Sequence, residues 1–273
     1  MTRIIAVAMQ KGGTGKTTCS INLAAGLARG IGRDGQKPQR VLLVDIDPQA
    51  NATAVFLSAQ FTLGPTDDTI TTYEVLVQQT PAEEAIRQIK LPANPRNNLP
   101  ESTVDLLPAH IRLARAELDL LGVLRREDRL ATALRKIATN YDFILIDCPP
   151  SLGILTVNAL MAADEIIIPV EPGYFPLIGI GLLQQTVNDV SQINDLKLTG
   201  VIPTMQDRTV ESRETLEALE QMFADKVLPA IPSRVAIRNA HAAQMDIFSY
   251  ATDSASQDAV EAFSLLVKEV NNG

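Results

Sequence analysis

Residues 10–18, "QKGGTGKTT", concentrate glycine, lysine and threonine in a way that suits holding phosphate groups. Gly12, Gly13 and Gly15 leave backbone N–H groups free to close around phosphate oxygens. Lys16 can reach the β and γ phosphates of a nucleotide, and the Thr17 hydroxyl can ligate Mg²⁺. A helix beginning near Thr17 points its positive end at the anion. The usual loop, Gly-x-x-x-x-Gly-Lys-Ser/Thr, opens with a glycine five places before the second. Lys11 stands almost at that place, so this is a variant with two lysines around one phosphate site.

Carboxylates elsewhere complete the constellation. In "VDIDPQANAT" (44–53), Asp45 and Asp47 flank one apolar residue at the end of an apolar run. Read as a strand, the run puts both side chains on one face, at the carboxyl end where open α/β sheets place ligands. Such a pair can orient Mg²⁺-bound water or an attacking water. In "FILIDCPPSLG" (143–153), an apolar run ends in Asp147. That is the Walker B arrangement, in which the carboxylate binds Mg²⁺ directly or through water. Pro149, Pro150 and Gly153 then shape a loop beside the γ-phosphate. Cys148 has no base near it in sequence and reads as a buried bystander.

These residues need a scaffold. Apolar runs at 3–9, 40–46, 103–109, 141–147, 164–170, 197–203 and 226–232 are rich in Val, Ile and Leu without strict alternation, as expected of strands covered on both faces. Helical patterns at 17–30, 110–122, 129–140 and 211–224 lie between them. The alternation predicts a doubly wound, mainly parallel sheet flanked by helices. The turn-rich stretches 33–39 and 91–102 read as surface loops, and one domain over residues 1–273 is expected.

The chain has 273 residues, 46% of them hydrophobic and 21% charged, which suits a soluble globular protein with a large core. Its net charge of −8 provides no overall basic field, so any nucleic-acid contact must come from a local patch. Two cysteines, Cys19 and Cys148, imply no disulfide scaffold and suit a reducing compartment. The apolar start, "MTRIIAVAM", runs into the phosphate loop rather than a cleavage site and reads as a strand. No apolar run reaches the roughly 18 residues of a membrane span, and a cytoplasmic protein is expected.

Together, "KGGTGKTT", "DIDPQANAT", "DLLPAHIRLARAEL" (105–118) and "DCPPSLGILTVNAL" (147–160) closely resemble ParA-type partition ATPases, within the ParA/MinD group that carries a deviant Walker A box. The resemblance runs from residue 1 to about 270. It implies an ATP hydrolase using ATP/ADP and Mg²⁺, slow and stimulated by a partner. Lys11 would reach the nucleotide of a second subunit, so that a homodimer sandwiches two ATP molecules. Residues from Lys11 through Gly12, Gly13, Thr14, Gly15, Lys16, Thr17 and Thr18 would hold the phosphates. Lys11, Lys16 and Asp47 would be catalytic, with Asp47 orienting the attacking water. Thr17, Asp45 and Asp147 would serve the metal. "PTMQDR" (203–208) and "AIPSR" (230–234) match regions lining the adenine and the dimer edge, which nominates Met205, Arg208 and Pro232.

Family members of this size bind DNA non-specifically as ATP-bound dimers on the nucleoid, and a ParB-like activator docks a basic segment at the dimer edge. The basic residues in the matching region are Arg208, Arg213, Arg234 and Arg238, with Lys226. The arginines of "IPSRVAIRNA" are offset from the family spacing, and Asp207, Glu211, Glu214, Glu217 and Glu220 are interleaved. With 4% aromatic residues and no Trp, backbone contacts fit better than base stacking. The terminal "DAVEAFSLLVKEVNNG" (258–273) lacks the basic amphipathic character of a MinD-like membrane tail and reads as a packing helix. The cysteines do not fit an iron–sulfur reductase, and with the phosphate loop starting near residue 10 no helix-turn-helix is expected before it. Two alternatives stand: a ParA-like positioner of a protein cargo, such as a microcompartment or chemoreceptor array, and a metabolic amidoligase or reductase on the same fold.

Overall fold

The computed structural model describes residues 1–32, 37–64, 69–173, 188, 190–191 and 194–272. Its centre is a seven-stranded sheet in the order β3-β4-β2-β5-β1-β6-β7. The strands are β1 (Arg3–Val7), β2 (Val41–Asp45), β3 (Arg87–Leu91), β4 (Ser102–Leu107), β5 (Phe143–Asp147), β6 (Glu165–Val170) and β7 (Lys197–Pro203). All neighbours are parallel except β3, which pairs antiparallel with β4 at one edge.

The central strands are apolar between their ends because each face has its own core. Ile4, Ala6, Leu42, Val44, Ile144 and Ile146 point to one side, where the helices Arg129–Ile137 and Ile154–Ala162 pack. Ile5, Val7, Val41, Leu43, Phe143 and Leu145 point to the other, against α1 (Lys16–Ala28) and the helix Ser254–Asn272. Successive strand residues face opposite ways, so burial on both sides turns alternation into a continuous hydrophobic run. The terminal packing helix expected from sequence is Ser254–Asn272, which buries Phe263, Leu266, Val267 and Val270.

Three expectations need correction. The run 226–232 is not a strand. It lies along β7 through Leu228 N–H donating to the Val201 carbonyl and Ile231 N–H to the Pro203 carbonyl, each at 2.8 Å. Pro229 and Pro232 have no N–H to extend that into a ladder. The segment 110–122 is not one helix but a 3₁₀ stretch, Ile111–Arg115, followed by a single α-turn, Ala116–Asp119. The stretch 91–102 is not simply a surface loop: Leu91 closes β3, and buried Asn94 donates to the Phe248 and Ala251 carbonyls. Of the other expected loop, 33–36 lie outside the described residues.

The helix Val210–Phe223, expected at 211–224, begins with Thr209 accepting from Ser212 N–H. Among the described residues no helix is long and apolar enough to cross a membrane.

Candidate functional site

The carboxyl ends of β1, β2 and β5 meet at one end of the sheet, and the functional side chains gather there. β1 runs through Ala8 and Met9 into the glycine loop, which turns directly into α1. Gly15 caps α1 at φ 87°, and Gly13 stands at φ 79°. Both lie in the left-handed region that favours glycine. Gly12 does not, and a Cβ there would meet only Pro150 Cβ at 3.9 Å. Thr14 is fully buried, and its carbonyl accepts from the Thr204 hydroxyl at 2.8 Å, which ties the loop to the end of β7.

The loop, Asp47, Gln49, Asn51 and Pro150 line an open cleft of about 660 Å³. Lys16 is buried in it, and its ammonium donates to the Lys11 carbonyl at 3.0 Å. Burial lowers the Lys16 pKa, while Asp147, Cys148 and Asp47 push it back up. Lys11 behaves differently. Its side chain lies at the rim, 43% exposed, and its ammonium pairs with Glu171, just past the end of β6.

The two aspartates of the second motif do not both lie on the strand, so strand alternation does not set their relative direction. β2 ends at Asp45, and the chain turns so that Asp47 N–H donates to Asp45 Oδ1 at 3.1 Å. Asp45 is fully buried, with Oδ2 accepting from both Thr53 N–H (2.8 Å) and Thr53 Oγ1 (2.7 Å) at the start of α2 (Asn51–Leu57). Asp47 faces the cleft and accepts from Gln49 N–H at 2.8 Å.

Parallel register sets Asp45 directly beside Asp147 on β5. Burial raises the pKa of both; Asp45 adds to the rise in Asp147, and Asp47 adds to the rise in each. Ser20 Oγ donates to Asp147 Oδ1 at 2.9 Å, and the Thr17 hydroxyl also favours the Asp147 charge. Asp147 Oδ2 is buried with no hydrogen-bond partner. An orphaned carboxylate oxygen beside a threonine hydroxyl fits Mg²⁺, which takes few protein ligands and completes its shell with phosphate and water. The described residues contain no cluster of three or more His, Cys, Asp or Glu able to hold a metal by themselves. Cys148 is buried and its thiol pKa is pushed up by that burial, so it is no nucleophile.

Beyond the loop lies a smaller, mostly apolar cavity of about 110 Å³, whose walls include Met205, Ile231, Pro232 and Ile237. Arg234 and Arg238 also line it, and Arg234 is paired with Asp258 at 2.7 Å. Arg208 lines neither this cavity nor the cleft and is exposed on the turn after β7. Arg213 is exposed on the helix Val210–Phe223, among exposed Glu211, Glu214, Glu217 and Glu220. Sequence reasoning did not single out Ser20, Thr53, Glu171, Thr204 or His241. Gln49 and Asn51 fell inside a recognised motif but were given no role. His241 shares the wall of the cleft, with no sequence signal to mark it.

The family model described as an AAA domain matches residues 2–199. The sporulation initiation inhibitor protein Soj of Bacillus subtilis is 42% identical, over 99% of this chain and 98% of its own. The chromosome partitioning protein ParA of Caulobacter vibrioides is 36% identical, over 98% and 93%. This chain belongs to the ParA-type family of P-loop ATPases. A crystal structure of cobyrinic acid a,c-diamide synthase from Mycobacterium smegmatis with bound ADP and magnesium also superimposes, with a TM-score of 0.70 and 37% identity over 89% of this chain and 94% of that one. The ParA-type assignment accounts for the deviant glycine loop and for the doubly wound sheet that carries it.

Proposed function

We propose that this chain is a Mg²⁺-dependent ATPase whose ATP-bound homodimer binds DNA without sequence preference and positions plasmid or chromosomal DNA. The single domain would span residues 1–273 and work at the nucleoid in the cytoplasm. The observation that carries the reading is the division of labour between the lysines. Lys16 is sunk in the phosphate cleft, whereas Lys11 lies at its rim on an exposed stem. A lysine so placed can serve a phosphate outside its own loop.

In this reading the N–H groups of residues 12–18 and the Lys16 ammonium bind the β and γ phosphates, and the apolar cavity at Met205 and Pro232 takes the adenine. Asp147 and the Thr17 hydroxyl would hold Mg²⁺, which when bound neutralises phosphate charge. Asp45 fixes the turn that aims Asp47, and Asp47 orients the attacking water. Lys11 of the partner protomer compensates the charge that develops on the γ-phosphoryl group.

Arg208, Arg213 and Arg238 are exposed and carry no ion pair among the described residues, whereas Arg234 is engaged by Asp258. The exposed glutamates around Arg213 place the emphasis on Arg208 and Arg238. A ParB-like activator with a basic segment suits the net charge of −8, which favours encounter with a cation.

The similarity to a diamide synthase keeps a second reading, an amidoligase that activates a carboxylate with ATP. One experiment separates them: binding of a random-sequence duplex with ATP, with ADP and without nucleotide, across a salt series. ATP-dependent binding that falls steeply with salt supports the partition reading. No binding in any state at low salt favours the amidoligase or a protein-only cargo.

A further inference from the structure

Glu171 is the feature the proposed mechanism leaves unused. It sits one residue past β6, beside the phosphate loop, and its carboxylate pairs with the Lys11 ammonium. The side chain of Glu171 is 19% exposed and that of Lys11 43%, so solvent screens the pair mainly from the lysine side. The two ends of Lys11 are held differently. Its carbonyl is fixed by Lys16 Nζ, at 3.0 Å, while its ammonium is held at the end of a flexible stem by one carboxylate among the described residues. The stem can leave Glu171 without disturbing the loop backbone.

We infer that Glu171 is a positioning residue for Lys11. It holds the ammonium within its own protomer until a second protomer's ATP competes for it. The proposal rests on the reading that Lys11 acts across a dimer. A phosphate cluster of several negative charges outbids one carboxylate, so association in the ATP state transfers the ammonium from Glu171 to the partner's phosphates. A nucleotide without the γ-phosphate offers less charge and leaves Lys11 on Glu171. The carboxylate thus raises the threshold for dimerisation in the ATP state. By two-fold symmetry both protomers make the exchange at once.

Two measurements on the full chain test this. The first uses the nucleotide-free protein and an amine-acylating N-hydroxysuccinimide ester, with the rate at Lys11 read by mass spectrometry. Release from its carboxylate should speed acylation of Lys11 about three-fold in Glu171→Gln, the scale of a half-exposed ion pair. Glu171→Asp, which keeps the charge, should stay nearer the parental rate. Equal rates in the parent and Glu171→Gln overturn the pair. The second is the dimer dissociation constant with ATP and with ADP, by analytical ultracentrifugation. Glu171→Gln should tighten the ATP dimer about nine-fold, two pairs at about three-fold each, and change the ADP dimer by less. An unchanged or weakened ATP dimer overturns the proposal. If the parent itself fails to dimerise with ATP, the trans reading of Lys11 falls, and the acylation rates still report whether the pair holds in the monomer.

Discussion

At Gly15 the backbone stands at φ 87°, where an L-residue pays roughly 1–2 kcal/mol. A Cβ there would touch Thr204 only at ordinary distance, 3.5 Å, so the cost of Gly15→Ala is conformational. Urea denaturation should show a loss of about 1 kcal/mol or more, while Gly12→Ala, with only an ordinary contact to Pro150 and no positive φ, should fall within about 0.5 kcal/mol of the parent. Thr53→Val keeps the shape but removes the hydroxyl that donates to Asp45 and accepts from Ala109 N–H. A loss of about 1.5–3 kcal/mol is expected by the same assay. The buried carboxylates give a pH signature. Burial holds Asp147 above its ordinary pKa, so in the folded state its contribution is favourable below about pH 4 and is lost as pH rises through the raised value. Without Mg²⁺ and nucleotide, Asp147→Asn should therefore gain stability relative to the parent between pH 5 and pH 8, and a constant difference would contradict it. The chemistry-bearing residues were legible because phosphate binding restricts residue type at fixed spacing. Thr53, Ser20 and Thr204 were not, because each acts through a contact that only the folded chain creates. Strand periodicity could not place Asp47 relative to Asp45, because the strand stops at Asp45.

Among the elements, α1 and the helix Ser254–Asn272 approach so closely that a Cβ on Gly26 would lie 2.5 Å from Val267 Cγ2. Gly26→Ala should therefore overpack this contact and cost about 1–3 kcal/mol in thermal or urea unfolding. The loss would reach the site, because α1 carries Lys16, Thr17 and Ser20. Doubly covered strands were legible as unbroken apolar runs. β3 was not, because its sequence, RQIKL, alternates exposed polar and buried apolar residues and sits at the sheet edge. The run 226–232 carried the right composition, but its prolines deny it a ladder. The segment 110–122 showed a helical apolar period that burial does not support: Leu118 and Leu121 are 69% and 63% exposed.

For the whole molecule, the fold and the phosphate site require only one chain, whereas the function proposed for it requires two. Sequence carried the first and only implied the second, since the fold of one protomer sets Lys11 against Glu171 and does not specify a second protomer's contact with it. The direct measurement is ATP hydrolysis by a mixture of Lys11→Ala and Lys16→Ala proteins. In the mixed dimer, the Lys11→Ala subunit keeps Lys16 and holds ATP, while the Lys16→Ala subunit keeps Lys11 and offers it from across the interface. The account predicts that each protein alone is close to inactive and that the mixture regains hydrolysis at one of its two sites. Activity in the mixture no greater than the sum of the two variants measured separately would contradict it.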